Sequence, residues 1–165
     1  MDVLRLFDEH HALLFRFAYR LTGSAADAED IVQVCFLELL RPECTYDATR
    51  APIRAWLLGT VRNQSLKRLR RRAEAPALPQ PAGPTSPERE TLRSELEAAV
   101  RKAVLTLPET QSEVLILAHY EQLPLAEIAD ILNLDLGAVK SRLQRARASL
   151  REALAEYAPN LERKS

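Results

Sequence analysis

Residues 107–154 read LPETQSEVLILAHYEQLPLAEIADILNLDLGAVKSRLQRARASLREAL. Ala126, Ile128, Ala129 and Leu132 give one short helix an apolar face. Leu134-Asp135-Leu136 then breaks the pattern, and Asp135 suits an N-cap, its carboxylate accepting backbone N–H groups left free in the next turn. Beyond it Val139, Leu143, Ala146 and Leu150 recur at three- and four-residue spacing, the stripe of a helix packed on one side. The other face carries Lys140, Arg142, Arg145, Arg147 and Arg151, with no Asp or Glu between Gly137 and Arg151. A short helix, a turn and a longer cationic helix make a helix-turn-helix, shaped to enter a major groove and grip phosphates.

A basic helix face can also be plain solvated surface, and cations near a helix C-terminus are favoured by the macrodipole. Here the positive run starts at the N-terminal end, where the dipole disfavours it. Capping electrostatics therefore do not account for Lys140 and Arg142, and the pattern favours nucleic acid.

Outward from this segment the charge comes in blocks. The 165 residues carry no net charge, which taken as an average would argue against a polyanion partner. Yet residues 1–49 hold four basic and nine acidic side chains, and residues 50–72 hold eight basic and none acidic. Residues 88–139 hold four basic against ten acidic, and 140–151 five basic and none acidic. Two basic blocks in acidic surroundings predict two polyanion contacts, with acidic faces left for protein partners. Cys35 and Cys44 are the only cysteines and stand in no CxxC or Cys/His cluster, which argues against a disulfide framework, a zinc site or any other metal site. His10 and His11 are adjacent and so point in different directions on a helix, a poor start for a metal site with the nearby acids. The N-terminus lacks the cationic start and apolar core of a signal peptide, and no apolar run approaches the roughly 20 residues that span a bilayer. A cytoplasmic protein without membrane insertion is expected.

AEAPALPQPAGPTSP at 73–87 contains five prolines and reads as an extended linker, because proline removes backbone donors and fixes φ. It divides the chain into an N-terminal domain at 1–72 and a C-terminal domain at 88–155, followed by a tail at 156–165. Before the linker, Leu4, Phe7, His11, Leu14, Phe15, Ala18 and Leu21 form a helical stripe ended by Thr22-Gly23-Ser24. A second helix starts at Ser24 or Ala25, with Asp27, Glu29 and Asp30 in its first turns and Ile31, Val34, Cys35, Leu37 and Leu39 as its apolar positions. Arg41-Pro42 stops it, and 43–52 reads as a loop. A third helix is predicted over 53–72, with Trp56, Leu57, Thr60, Val61, Leu66 and Leu69 inside and Arg62, Lys67, Arg68, Arg70, Arg71 and Arg72 outside. After the linker come helices near 88–105 and 109–120, with Pro108 suited to a helix start. The predicted fold is all-α: two small helical domains.

DAEDIVQVCFLELL at 27–40, RAWLLGTVRNQSLKRLRRR at 54–72 and the 107–154 segment together resemble a group-IV, extracytoplasmic-function sigma factor of bacterial RNA polymerase. They stand in the order of that family's regions 2.2, 2.3–2.4 and 4.1–4.2, and the linker lies where region 3 of housekeeping members would be. The resemblance implies a non-enzymatic subunit that binds core RNA polymerase, recognises −35 and −10 promoter elements and promotes DNA opening. It implies no cofactor and no small-molecule substrate, and it allows an anti-sigma factor as a further partner.

By the same resemblance Asp27, Glu29, Asp30, Gln33 and Phe36 fall on the polymerase-binding surface; helix N-terminal carboxylates satisfying the dipole are the simpler alternative for the acids. Tyr46 and Asn63 fall where a flipped base is held, Asn having both donor and acceptor for a base edge. Arg62, Lys67, Arg70 and Arg71 fall on the −10 strand, where cations follow phosphates. Trp56, on the apolar stripe, reads as core. Lys140, Ser141, Gln144 and Arg145 match positions facing the −35 element, with Arg142 and Arg147 read as phosphate contacts.

The chain departs from the family pattern at Asn133, where Gly is usual in the turn; Asn tolerates the left-handed conformation. Ala138 stands for a common Thr, Lys67 for a common Asp, and Pro124-Leu125 for a frequent Ser-Tyr pair. The alternative function is a stand-alone helix-turn-helix regulator that dimerises on duplex DNA, a role with no use for the first domain. No Ser/His/Asp set, Gly-rich phosphate loop or convergent carboxylate pair points to an enzyme.

Overall fold

The structure, a computed structural model, describes residues 1–75 and 92–155. The tail at 156–165 and all but the first residues of the 73–87 linker lie outside them. Seven α-helices and no strand occur among the described residues: α1 Val3–Thr22, α2 Ala25–Leu39, α3 Ile53–Glu74, α4 Leu92–Thr106, α5 Glu109–Leu115, α6 Leu125–Leu132 and α7 Leu136–Ala153. The third helix thus runs two residues past its predicted end, into the start of the linker. No described helix is long and apolar enough to cross a membrane.

Local chemistry sets the ends. Asp2 caps α1, its carboxylate accepting from the Leu4 and Arg5 amides, and Gly23 ends it at φ 70°, a left-handed position that Gly occupies without a Cβ penalty. The Ser24 hydroxyl accepts from the Asp27 amide at 3.2 Å and starts α2. Asp135 caps α7 by accepting from the Ala138 amide at 2.8 Å, and Asn133 closes α6 at φ 53°, ψ 50°, as the sequence predicts for both. The helix expected over 109–120 is not uniform: after Leu115 it widens into one π-helical turn, Ile116–Tyr120, and the chain then turns through Gln122 at φ 53°. Single π-helical turns of this kind are frequent at functional sites.

Two expectations about the apolar stripes are corrected. Leu37 is 57% exposed whereas Phe36 is only 6% exposed, because Val32, Cys35, Phe36 and Leu39 share the inward face at helical spacing and Leu37 lies beside the outward Gln33. On α1 the buried stripe is Leu14, Phe17, Ala18 and Leu21, while Leu4 at the start of the helix is 79% exposed. Inside the first three helices, the Cys35 thiol donates weakly to the Leu57 carbonyl at 3.7 Å, and burial pushes its pKa up to about 12. Both cysteines are free, and a thiol so hard to ionise is a poor redox partner for the half-buried Cys44.

The two halves of the chain do not stand apart. Their buried apolar residues form one continuous cluster from Leu14 and Phe17 through Leu57 and Val61 to Ile116, Ile128 and Leu143. Helix α3 packs along α6, with Gly59 against it: a Cβ there would stand 3.5 Å from the Ile131 carbonyl oxygen, an ordinary van der Waals contact. Helix α1 packs on α4, where the Leu105 side chain lies 3.2 Å from the Cβ position of Gly23.

Candidate polymerase and nucleic-acid interfaces

Helix α2 presents Glu29, Asp30 and Gln33 outward, all exposed. Phe36 is buried, and Asp27 is half-buried beside that face. Asp27 is paired with Arg68 at 2.9 Å and with Arg72, Arg68 reaches on to Asp30, and Arg72 also donates to the Thr22 carbonyl at 2.9 Å. These pairs bolt the C-terminal half of α3 to the start of α2, which takes Arg68 and Arg72 off the freely cationic face expected of them. The Phe36 ring packs at 5.1 Å from Phe7. Glu29 lies 3.6 Å from His11. Leu37 and Leu40 are exposed next to this acidic face, and sequence reading missed them as surface residues. Counting i, i+4, i+7 from Gln33 rather than from Ile31 would have found Leu37 and Leu40 there.

Helix α3 carries Lys67, Arg70 and Arg71 exposed near its end, with Arg70 at 3.9 Å from Glu109. Asn63 is exposed and its carbonyl accepts from Arg62 at 3.2 Å. A cleft beside it is lined by Glu38, Thr45, Trp56, Gln64 and, from the second half, Asp130 and Asn133. Trp56, expected in the core, is half-buried on this cleft with its ring edge-on to Tyr46 at 5.8 Å. Gln64 donates to Glu38 at 2.9 Å and ties the cleft wall to α2.

Arg62 is not free. Its guanidinium donates to Glu113 of α5 at 2.5 and 3.2 Å, and Arg142 of α7 reaches the same carboxylate at 3.5 Å. Glu113 is 0% exposed. One buried carboxylate thus holds one cation from each helix expected to touch DNA. Around it Arg54 binds Glu127 at 2.6 and 2.5 Å, Arg16 binds Glu121 at 3.2 and 2.9 Å, and the Arg20 guanidinium lies 3.8 Å above the Tyr120 ring. Nothing in the sequence signals these pairings, because their partners stand 29 to 105 positions apart.

On α7, Lys140, Ser141, Gln144 and Arg145 are exposed together at helical spacing. Val139, Leu143 and Ala146 fix that orientation from the buried side. Arg147 is exposed and donates to His119 Nε2 at 3.0 Å. Burial first, then the charge of Arg147, holds His119 below its ordinary value of 6.5.

The Sigma-70 region 2 family matches residues 6–75, and the Sigma-70 region 4 family matches residues 97–150. ECF RNA polymerase sigma factor SigL of Mycobacterium tuberculosis is 36% identical over 157 residues, covering 92% of this chain and 88% of SigL. ECF RNA polymerase sigma factor SigE of Mycolicibacterium smegmatis is 33% identical, and this chain spans 61% of its length. Among solved structures, CnrH in complex with the cytosolic domain of CnrY superposes with a TM-score of 0.67 at 25% identity, covering 99% of this chain and 89% of CnrH. The all-α fold, the order of the two matched regions and these relatives agree: the chain belongs to the extracytoplasmic-function sigma factors of the sigma-70 family, promoter-recognition subunits for transcription initiation by bacterial RNA polymerase.

Proposed function

We propose that the subunit divides its work by surface. Glu29, Asp30 and Gln33, flanked by Leu37 and Leu40, meet core polymerase, while Asp27 and Phe36 hold that face in place from behind. Lys67, Arg70 and Arg71 follow the −10 strand, joined by Arg62 once it is free of Glu113. Asn63, with Trp56 on the same cleft and Tyr46 packed edge-on against Trp56, receives an unstacked base; aromatic faces and an amide suit that task. Lys140, Ser141, Gln144 and Arg145 read the −35 duplex, and Arg142 and Arg147 take phosphates. The working units are 1–72 and 88–155, joined by the 73–87 linker, and the subunit acts in the cytoplasm with the polymerase. It has no chemistry of its own, so binding energy drives opening of the DNA. An anti-sigma protein that covers these same surfaces would keep it inactive.

The observation that carries this reading is the pairing, on one chain, of two outward cationic helix faces on α3 and α7 with an acidic and apolar face on α2. The test is transcription in vitro with purified core polymerase on a library of promoter-length DNA, with and without the protein. Initiation at defined sites only when both are present is expected. Absence of core binding and of initiation, with tight duplex binding by the protein alone, would instead identify a stand-alone regulator.

A further inference from the structure

The first turn of α7 offers few side chains for hydrogen bonding. Asp135 turns its carboxylate back on its own helix: Oδ1 accepts from the Ala138 amide and lies 3.1 Å from where a Cβ on Gly137 would stand. Gly137 has no side chain, Ala138 has only a methyl, and Val139 is fully buried. Leu136 is what remains. It is 42% exposed, although Leu134 before it packs against the core and Val139 beyond it is part of the core. A lone exposed leucine is ordinary on a protein surface. This one stands first on the helix, and Lys140 and Gln144 follow it at four-residue spacing.

In a helix-turn-helix the N-terminal residues of the second helix reach the base edges in the major groove. Those edges present hydrogen-bond donors and acceptors and one apolar group, the thymine C5-methyl. A side chain without donor or acceptor gains there by covering that methyl. Against an amine or a carbonyl it would strip water and put nothing in its place. We propose that Leu136 is a specificity-determining residue for the −35 duplex: it packs on the methyl of one thymine, beside the base pair that Lys140 addresses, and disfavours the other bases at that place. The proposal rests on the promoter-subunit reading given above. To the polar readers Lys140, Ser141, Gln144 and Arg145 it adds a contact of a different kind, and it places a T·A pair in the element where the start of α7 enters the groove.

The test uses holoenzyme reconstituted from core polymerase and the full-length protein, on a promoter found in the transcription library. Each thymine of the −35 element, on either strand, is replaced singly by deoxyuridine, which removes the C5-methyl and keeps every hydrogen-bonding group of the pair. Competition between thymine and uracil promoters for limiting holoenzyme gives their relative affinity. Wild type is expected to prefer thymine by about fourfold at one position, the worth of one buried methyl-sized group. Leu136→Ala and Leu136→Gln should bind the two forms alike there; both residues suit a helix, and thermal melts check that both variants fold. Leu136→Met, which keeps an apolar side chain, should retain the preference. All three should still discriminate at a base pair read by Arg145. An element with no thymine sensitive to its methyl would overturn the proposal, as would a uracil effect as large in the alanine and glutamine variants as in wild type. Core-dependent initiation by the wild-type protein is scored first, on unmodified DNA. Its absence would fell the promoter-subunit reading, and the proposal with it, whereas initiation without a methyl effect fells the proposal alone.

Discussion

Glu113 is the residue on which most depends. A fully buried carboxylate is tolerated only when paired, and here two guanidiniums satisfy it. Glu113→Ala would leave Arg62 and Arg142 facing each other with no anion between them. The expected loss is about 3 kcal/mol of unfolding free energy, at the lower end for a broken buried pair because both arginines keep some solvent; urea denaturation measures it. His119 carries a second prediction. Its folded pKa is depressed, so the unfolded chain takes up the proton first as pH falls through 6.5. Stability is then full above that value and is lost between it and the lower folded value. Melting temperatures taken on either side of that window should drop in wild type by more than in His119→Gln, where the titration is gone. An equal drop in both would remove His119 from the account.

At the scale of elements, caps and turns were readable because each is a local event within a few residues. Asp135 and Asn133 act on their own helix ends, through one hydrogen bond and one left-handed φ. Asn133→Val should cost about 1–2 kcal/mol, since a β-branched side chain at φ 53° meets the following carbonyl, and Asn133→Gly should cost little. Thermal melts of the two variants check the sign and the ranking. The outward faces of α2 and α3 were read less well. Helix α2 and the first half of α3 are apolar over much of their circumference, so periodicity admits neighbouring solutions, and only packing against α1 chose Phe36 over Leu37 for the interior. Trp56 was misplaced for a related reason: a large ring can satisfy its area by lining a cleft beside Tyr46 as well as by entering the core.

At the scale of the molecule, the two cationic helices have different surroundings, and substitutions on α7 can separate their tasks. Arg145→Ala should relax discrimination at one −35 position by about 1–3 kcal/mol, whereas Arg147→Ala should weaken binding evenly and reduce the salt slope by about one. Competition between variant promoters in transcription assays at several salt concentrations distinguishes the two. The sequence by itself determined the helices, their caps, the helix-turn-helix, the alternation of acidic and basic blocks and the family to which they point, because each is written in spacing and composition along the chain. It pointed the acidic block of the second half toward other proteins, yet that block lies on the arginines of α1 and α3 in the same molecule. Only the tertiary structure decided this, because an ion pair forms where packing brings two side chains within a few ångströms. Burial of one continuous apolar cluster, together with the close approach at Gly59, set that distance between residues far apart in sequence.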